Sequence, residues 1–190
     1  ILWMTGGAYR KDVTELQPAS FNFKVAGVDG QGSIPNLPQL EREIAAIKAA
    51  EGGLQFSRED PMFLQAPEFG RETVCCFSRI PVDATNAEEL TQAEIAGRAE
   101  VLPTLDFIRR HFPAFRNAHI SELPSYIGVR ETRVITGEDI LTREDVVEGR
   151  RRADGIGRCG WPVERHITGK PKSELIPVSG GEGYYDIPFG

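Results

Sequence analysis

Five guanidinium groups and four carboxylates crowd into Gly128-Val129-Arg130-Glu131-Thr132-Arg133 and the segments behind it, Ile135-Thr136-Gly137-Glu138, Leu141-Thr142-Arg143-Glu144-Asp145-Val146 and Gly149-Arg150-Arg151. The alternation from Tyr126 to Ile135 predicts a strand with Val129, Glu131, Arg133 and Ile135 on one face, and Tyr126, Gly128, Arg130, Thr132 and Val134 on the other. Charges in a half-buried strand are costly unless paired or put to work. Arg130 is the leading candidate. Its planar, always-charged fork suits a substrate carboxylate, a polyol or an enolate-like transition state, and Gly128 beside it leaves room for a substrate to approach. The structural alternative for Arg130 is a partner carboxylate of the fold. Glu131 and Arg133 are expected to form a structural ion pair.

The run resembles the bacterial FAD-dependent oxidoreductases of the two-dinucleotide-binding type, which carry a similar GVRETR segment, a Gly-Glu turn and an LTxEDV helix start. The similarity extends to Ser20-Phe21-Asn22-Phe23-Lys24-Val25-Ala26-Gly27-Val28-Asp29, to Leu90-Thr91-Gln92-Ala93-Glu94-Ile95-Ala96-Gly97-Arg98 and to Phe112-Pro113-Ala114-Phe115-Arg116-Asn117-Ala118. A His in the place of His166 and a closing Tyr185-Asp186-Ile187-Pro188-Phe189 complete it. The resemblance implies an oxidoreductase that passes a hydride from a small hydroxylated substrate to flavin. It also implies that His166 takes the hydroxyl proton, and that Tyr185, Asp186 and Pro188 lead toward the cofactor. The rivals are a hydrogen-bonded structural histidine and an extended segment that closes the sheet.

The cofactor fingerprint of that family, a GxGxxG between a strand and a helix whose glycines let a backbone approach the FAD pyrophosphate at the helix N-terminus, is expected to lie outside this chain. The expectation is therefore one substrate-side domain over residues 1–190, a fragment whose partner is a missing FAD-binding domain of the same chain. FAD would belong to the full-length protein and would not bind tightly to this chain alone. The alternative from another class is a non-catalytic binding or interaction domain without redox chemistry.

A formal net charge of −6 argues against general nucleic-acid or anionic-membrane binding, which need a positive field. No apolar run reaches the roughly 18–20 residues of a membrane span, so a cytoplasmic protein is expected. Cys75, Cys76 and Cys159 offer neither a disulfide framework nor metal-ligand spacing, and no metal is expected. Adjacent Cys75 and Cys76 would face opposite sides of a strand.

Residues 20–28 alternate as a strand, with Phe21, Phe23 and Val25 opposed to Asn22 and Lys24, and Gly30 and Gly32 end it. Leu40, Ile44 and Ile47 predict an amphipathic helix over 39–51, stopped by Gly52-Gly53. Residues 54–70 show no sustained period, and Thr73–Ile80 reads as a strand. The longest helix is expected over 88–112, opened by Thr85 and Glu88 at capping-box spacing and kinked or broken near Ala99 by Pro103. Thr142 and Asp145 open a short helix, Arg150, Arg151 and Arg152 read as a solvated face, and Tyr184–Pro188 is extended. The order implies an α+β fold: a mixed or largely antiparallel sheet covered by helices on one face.

Overall fold

The computed structural model describes residues 2–11, 16–29, 34–65, 72–167 and 173–189. Gly30 and Gly32, the expected end of the first strand, lie outside them. In chain order the elements are β1 (Tyr9–Arg10), β2 (Phe23–Ala26), α1 (Leu37–Glu51), β3 (Met62–Gln65), β4 (Thr73–Cys76), α2 (Ala87–Ala99), α3 (Val101–His111), β5 (His119–Glu122), β6 (Val134–Ile135), α4 (Arg143–Glu148), β7 (Gly157–Cys159), β8 (Val163–Arg165), β9 (Glu174–Ile176) and β10 (Tyr185–Ile187). They gather into two compact units: Pro18–Arg130, and Ile1–Gln17 together with Glu131–Gly190. The fold is α+β, and every strand pairing among the described residues is antiparallel.

In the Pro18–Arg130 unit the sheet runs β3-β4-β2-β5. Phe21, Phe23 and Val25 share one face with Cys75 and Phe77, and that face meets Leu40 and Ile44 of α1, Ala93 of α2, and Leu105, Phe107 and Ile108 of α3 in a single core. Aromatic rings knit it: Phe63 stacks on Phe115 at 4.5 Å, and Phe56 sits edge-on to Phe77 at 4.9 Å and to Phe107 at 5.0 Å. Gly97 lets α2 close on the sheet, since a Cβ there would lie 2.6 Å from Phe21 Cβ.

The helix ends follow from side chains that satisfy orphan backbone groups. Asn36 and Gln39 form a reciprocal capping box on α1, and Gly52 ends it at φ 76°. Asn86, rather than Thr85, caps α2 by accepting from Glu88 N and Glu89 N. The expected break occurs: α2 stops at Ala99 and α3 starts at Val101. Pro103 thereby falls in the first turn of α3, where its missing N–H costs no intrahelical bond.

In the other unit, β1 pairs β6, β7 pairs β10 and β8 pairs β9. Thr142 and Asp145 cap α4 reciprocally. The three arginines after it are all paired; Arg150 and Arg151 also stay about half exposed, and Arg152 is largely buried. Arg150 reaches Asp145 at 2.6 Å, Arg151 reaches Asp186 at 2.9 Å, and Arg152 pairs with Asp139 and lies 3.6 Å from Asp145. Gly180 packs against the end of α4 so closely that a Cβ would stand 2.2 Å from Glu148 O.

The strand expected over Tyr126–Ile135 does not form as one element. Gly128 makes a single bridge to Ser20, and strand geometry resumes only at Val134–Ile135, against β1. The chain passes from one unit to the other between Arg130 and Glu131. Glu131 spends its carboxylate on Gln17 N at 3.2 Å rather than on Arg133, whose guanidinium lies 5.7 Å from the Tyr9 ring centre.

Candidate functional site

Strand alternation gives the sheet of the Pro18–Arg130 unit a second face, opposite the helices. Asn22 lies between the core residues Phe21 and Phe23, and Cys76 between Cys75 and Phe77, so both point away from the core. The register Phe23↔Cys75, continued by one residue, sets Asn22 beside Cys76. Ser20 Oγ donates to Ser78 O at 3.0 Å, and Ser78 Oγ accepts from Phe21 N at 2.6 Å. Ser20, Cys76 and Ser78 are each under 5% exposed. At this end the face is therefore polar and yet buried, whereas further along Lys24 pairs with the exposed Glu122 and Leu64 reaches solvent.

Arg130 reaches the same row. Ser20 bridges Gly128 through both backbone hydrogen bonds, and Arg130 Nη1 donates to Ser20 Oγ at 2.7 Å and to Pro18 O at 2.9 Å. Gly128 and Arg130 are thus held together, as expected. The space beside Gly128 is taken by Ser20 itself, whose carbonyl would lie 3.1 Å from an added Cβ.

From the far edge of the sheet comes a residue that the sequence did not single out. Arg58, 3% exposed, bonds its backbone N to Phe77 O, and its Nε donates to Asp60 O at 2.8 Å and to Asp60 Oδ1 at 3.1 Å. Arg79 shares Asp60 at 2.9 Å, and burial pulls its pKa down. Both Arg58 and Arg130 lie close enough to Cys76 to favour its thiolate, but burial dominates and pushes the thiol upward, so Cys76 stays neutral. Little in the sequence pointed to it. Arg58 stands in Phe56-Ser57-Arg58-Glu59-Asp60, where no periodicity predicts a buried side chain.

The remaining candidates lie in the other unit. His166 is 9% exposed and both ring nitrogens are engaged: Nδ1 with Ser173 Oγ at 2.8 Å and Nε2 with Glu164 Oε1 at 3.2 Å. The carboxylate at Nε2 requires a proton there, leaving Nδ1 of the neutral ring as the acceptor for the Ser173 hydroxyl. Tyr185, Asp186 and Pro188 follow one another on and just after β10. Tyr185 is raised to about 12 by burial and by its bond to Cys159, its partner across the ribbon. That bond and the Trp161 N–H lower Cys159 in turn. Asp186 accepts from Arg152 N and Arg151 Nε, both at 2.9 Å, and these bonds hold its carboxyl below the usual range. Pro188 is half-buried.

The chain matches the model of the family described as FAD dependent oxidoreductase over residues 2–190. It belongs to that family. No curated protein matches it. No solved structure matches it either. Among the described residues no helix is long and apolar enough to cross a membrane.

Membership of the FAD dependent oxidoreductase family implies FAD as the cofactor of the full-length protein. A dinucleotide needs a helix N-terminus with free N–H groups and no competing carboxylate. Here α1 opens on its own Asn36–Gln39 capping box, α2 carries Glu88 and Glu89 in its first turn, and α4 carries Glu144 and Asp145. The start of α3 follows directly on α2 through Glu100. The one GxGxxG spacing of the sequence, Gly155-Ile156-Gly157-Arg158-Cys159-Gly160, runs into β7 of a two-stranded ribbon and not into a helix. The FAD pyrophosphate therefore has no helix N-terminal cradle among the described residues of this family member.

Proposed function

We propose that residues 1–190 form the substrate-side part of an FAD-dependent oxidoreductase that removes a hydride from a small hydroxylated substrate, with the FAD-binding segment supplied elsewhere in the same protein. The observation that carries this reading is the buried polar row Ser20, Cys76 and Ser78 at one end of the β3-β4-β2-β5 sheet, with Arg130 bonded to Ser20 and Pro18. A sheet face needed only for packing would be apolar or solvated. On this reading Arg130 and Gly128 border the substrate, and Arg130 steadies developing negative charge. His166, its ring fixed by Glu164 and Ser173, accepts the hydroxyl proton at Nδ1 when Ser173 turns its O–H away. Tyr185, Asp186 and Pro188 form the extended segment nearest the cofactor, kept rigid by Arg151 and Arg152.

The test is the absorbance of the full-length protein between 350 and 500 nm, followed by anaerobic addition of hydroxylated substrates. A flavin spectrum that bleaches supports the reading. A colourless, folded protein that takes up no added FAD overturns it and leaves a binding domain without redox chemistry, the alternative that the carboxylate-filled helix starts favour. Titrated with FAD alone, the 190-residue chain is expected to show no micromolar binding, because no helix start among the described residues is open to the pyrophosphate.

A further inference from the structure

On the β8–β9 ribbon three side chains line up as a hydroxyl, an imidazole and a carboxylate. Ser173 Oγ lies 2.8 Å from His166 Nδ1, His166 Nε2 lies 3.2 Å from Glu164 Oε1, and Trp161 Nε1 donates to Glu164 Oε2 at 3.0 Å. The register Arg165↔Glu174, continued by one residue, sets His166 opposite Ser173, and strand alternation keeps Glu164 on the same face two residues back. The His166 backbone is tied as well, its N–H donating to Gln17 Oε1 at 3.0 Å. His166 is 9% exposed whereas Ser173 is only half-buried, so the base is shielded while the serine meets solvent. Across from Glu164 stands exposed Leu175, two residues from Ser173 along its strand and on the same face.

We propose that Ser173 is the nucleophile of an acyl-transfer site, with His166 as its general base, and that the site hydrolyses activated esters of short apolar acids. The activity goes beyond the redox reading above and needs no flavin. A serine hydroxyl is a weak nucleophile until a base within hydrogen-bond reach, itself oriented by a third group, takes its proton. Here Glu164 requires the proton on Nε2, so Nδ1 faces Ser173 as an acceptor, and the imidazolium formed when Nδ1 is protonated is steadied by the same carboxylate. The two ring nitrogens exchange roles relative to the serine proteases, while the order hydroxyl, imidazole, carboxylate is the same. Ser173 Oγ adds to the ester carbonyl carbon and its proton passes to His166 Nδ1. The bond from that carbon to the alcohol oxygen then breaks as the proton moves on to the leaving alcohol. Water adds to the acyl carbon of the acyl-serine, and its proton returns through Nδ1 to Ser173 Oγ as the acid departs, so one ester and one water become one acid and one alcohol. Leu175, beside the nucleophile, offers apolar surface to the acyl chain.

The experiment is hydrolysis of p-nitrophenyl butyrate by the protein, paired with mass spectrometry after exposure to a fluorophosphonate probe. The expected result is a phosphonyl label on Ser173 and a hydrolysis rate that Ser173→Ala and His166→Gln each lower by about tenfold or more. Glu164→Gln lowers kcat by about threefold or more and leaves KM unchanged, the mark of a positioning residue rather than of a lost fold. Ser125→Ala, at an exposed serine of the Pro18–Arg130 unit, changes neither the label nor the rate. No label on Ser173, a rate retained by Ser173→Ala or by a folded His166→Gln protein, or a kcat that Glu164→Gln leaves unchanged overturns the proposal. Should His166→Gln not fold, as read from tryptophan emission, Ser173→Ala, which removes only a hydroxyl, decides alone. Flavin bleached by substrate in a protein without acyl transfer sinks this inference and spares the oxidoreductase reading. Acyl transfer in a protein that takes up no flavin does the reverse.

Discussion

Replacing Arg130 by alanine separates a residue that holds the fold from one that serves a substrate. The side chain is exposed overall, and its Nη1 donates to Pro18 O and Ser20 Oγ. Ser20 keeps its bond to Ser78 O and its backbone bridge to Gly128, whereas the carbonyl of buried Pro18 loses this donor. Charge-assisted bonds contribute about 1.5–3 kcal/mol when desolvated and less when exposed, so the pair should cost roughly 1–2 kcal/mol. For a unit of this size that is a fall in Tm of about 4–8 °C. If the same guanidinium also meets the substrate in the transition state, losing one charged bond of 1.5–3 kcal/mol lowers kcat/KM by about 10- to 150-fold. The two units can be followed separately. Both tryptophans, Trp3 and Trp161, lie outside Pro18–Arg130, whereas the three longest helices lie inside it, so ellipticity at 222 nm reports on the site's unit and tryptophan emission on the other. The reasoning is refuted if Arg130→Ala lowers the ellipticity melt far beyond that range while activity per folded molecule of the full-length enzyme is retained.

Three further outcomes test the scaffold. Asp145 and Asp186 are both held below the ordinary carboxylate range, Asp145 first by the Thr142 N–H and Asp186 first by the Arg152 N–H. Their stabilising effect is full above the unfolded pKa of about 3.9 and is lost as pH falls through the lower folded values. Tryptophan emission should therefore show an acid transition below about pH 4, and Asp186→Asn should flatten that limb while lowering stability at pH 7. Gly180→Ala must displace the Glu148 carbonyl, and a loss of at least 1–3 kcal/mol, about the cost of overpacking, is expected in urea unfolding followed by tryptophan emission. Asn86→Ala strips two N–H groups of their cap and should cost α2 about 1 kcal/mol, read from the 222 nm melt.

Local pattern carried the helices and little of what joins them. Leu40 and Ile44 fell on the buried side of α1, and Pro103 marked the break because its geometric penalty does not depend on context. The α+β class and the antiparallel pairing followed from the same reading. The segment from Tyr126 to Ile135 went astray because period-two alternation records only which way side chains point. It cannot show that the chain leaves one unit for another at Arg130. The division itself, with residues 1–17 packed with 131–190, is set by contacts far apart in sequence. The arginine run at 150–152 looked solvated for a related reason: its carboxylate partners, Asp139, Asp145 and Asp186, are scattered along the chain and meet only in the fold. Arg130 and His166 were visible by type and neighbourhood. Arg58 was not, since Ser57-Arg58-Glu59-Asp60 reads as an ordinary charged loop.

Around Asp186, the acceptor is filled by Arg151 and by the Arg152 N–H, Arg152 is in turn paired with Asp139, and Asp145 is engaged by its own cap and by Arg150. Such a network rigidifies its surroundings and explains its arginines without a ligand, although Asp145 Oδ1 and Arg152 Nε are buried without a hydrogen-bond partner. Asn22 Oδ1, in the Pro18–Arg130 unit, is in the same position. Each such group costs about 1–3 kcal/mol when it is shut away from water, and an apolar side chain of similar volume would avoid the cost. Unsatisfied atoms thus occur in both units and do not by themselves mark either one as the site.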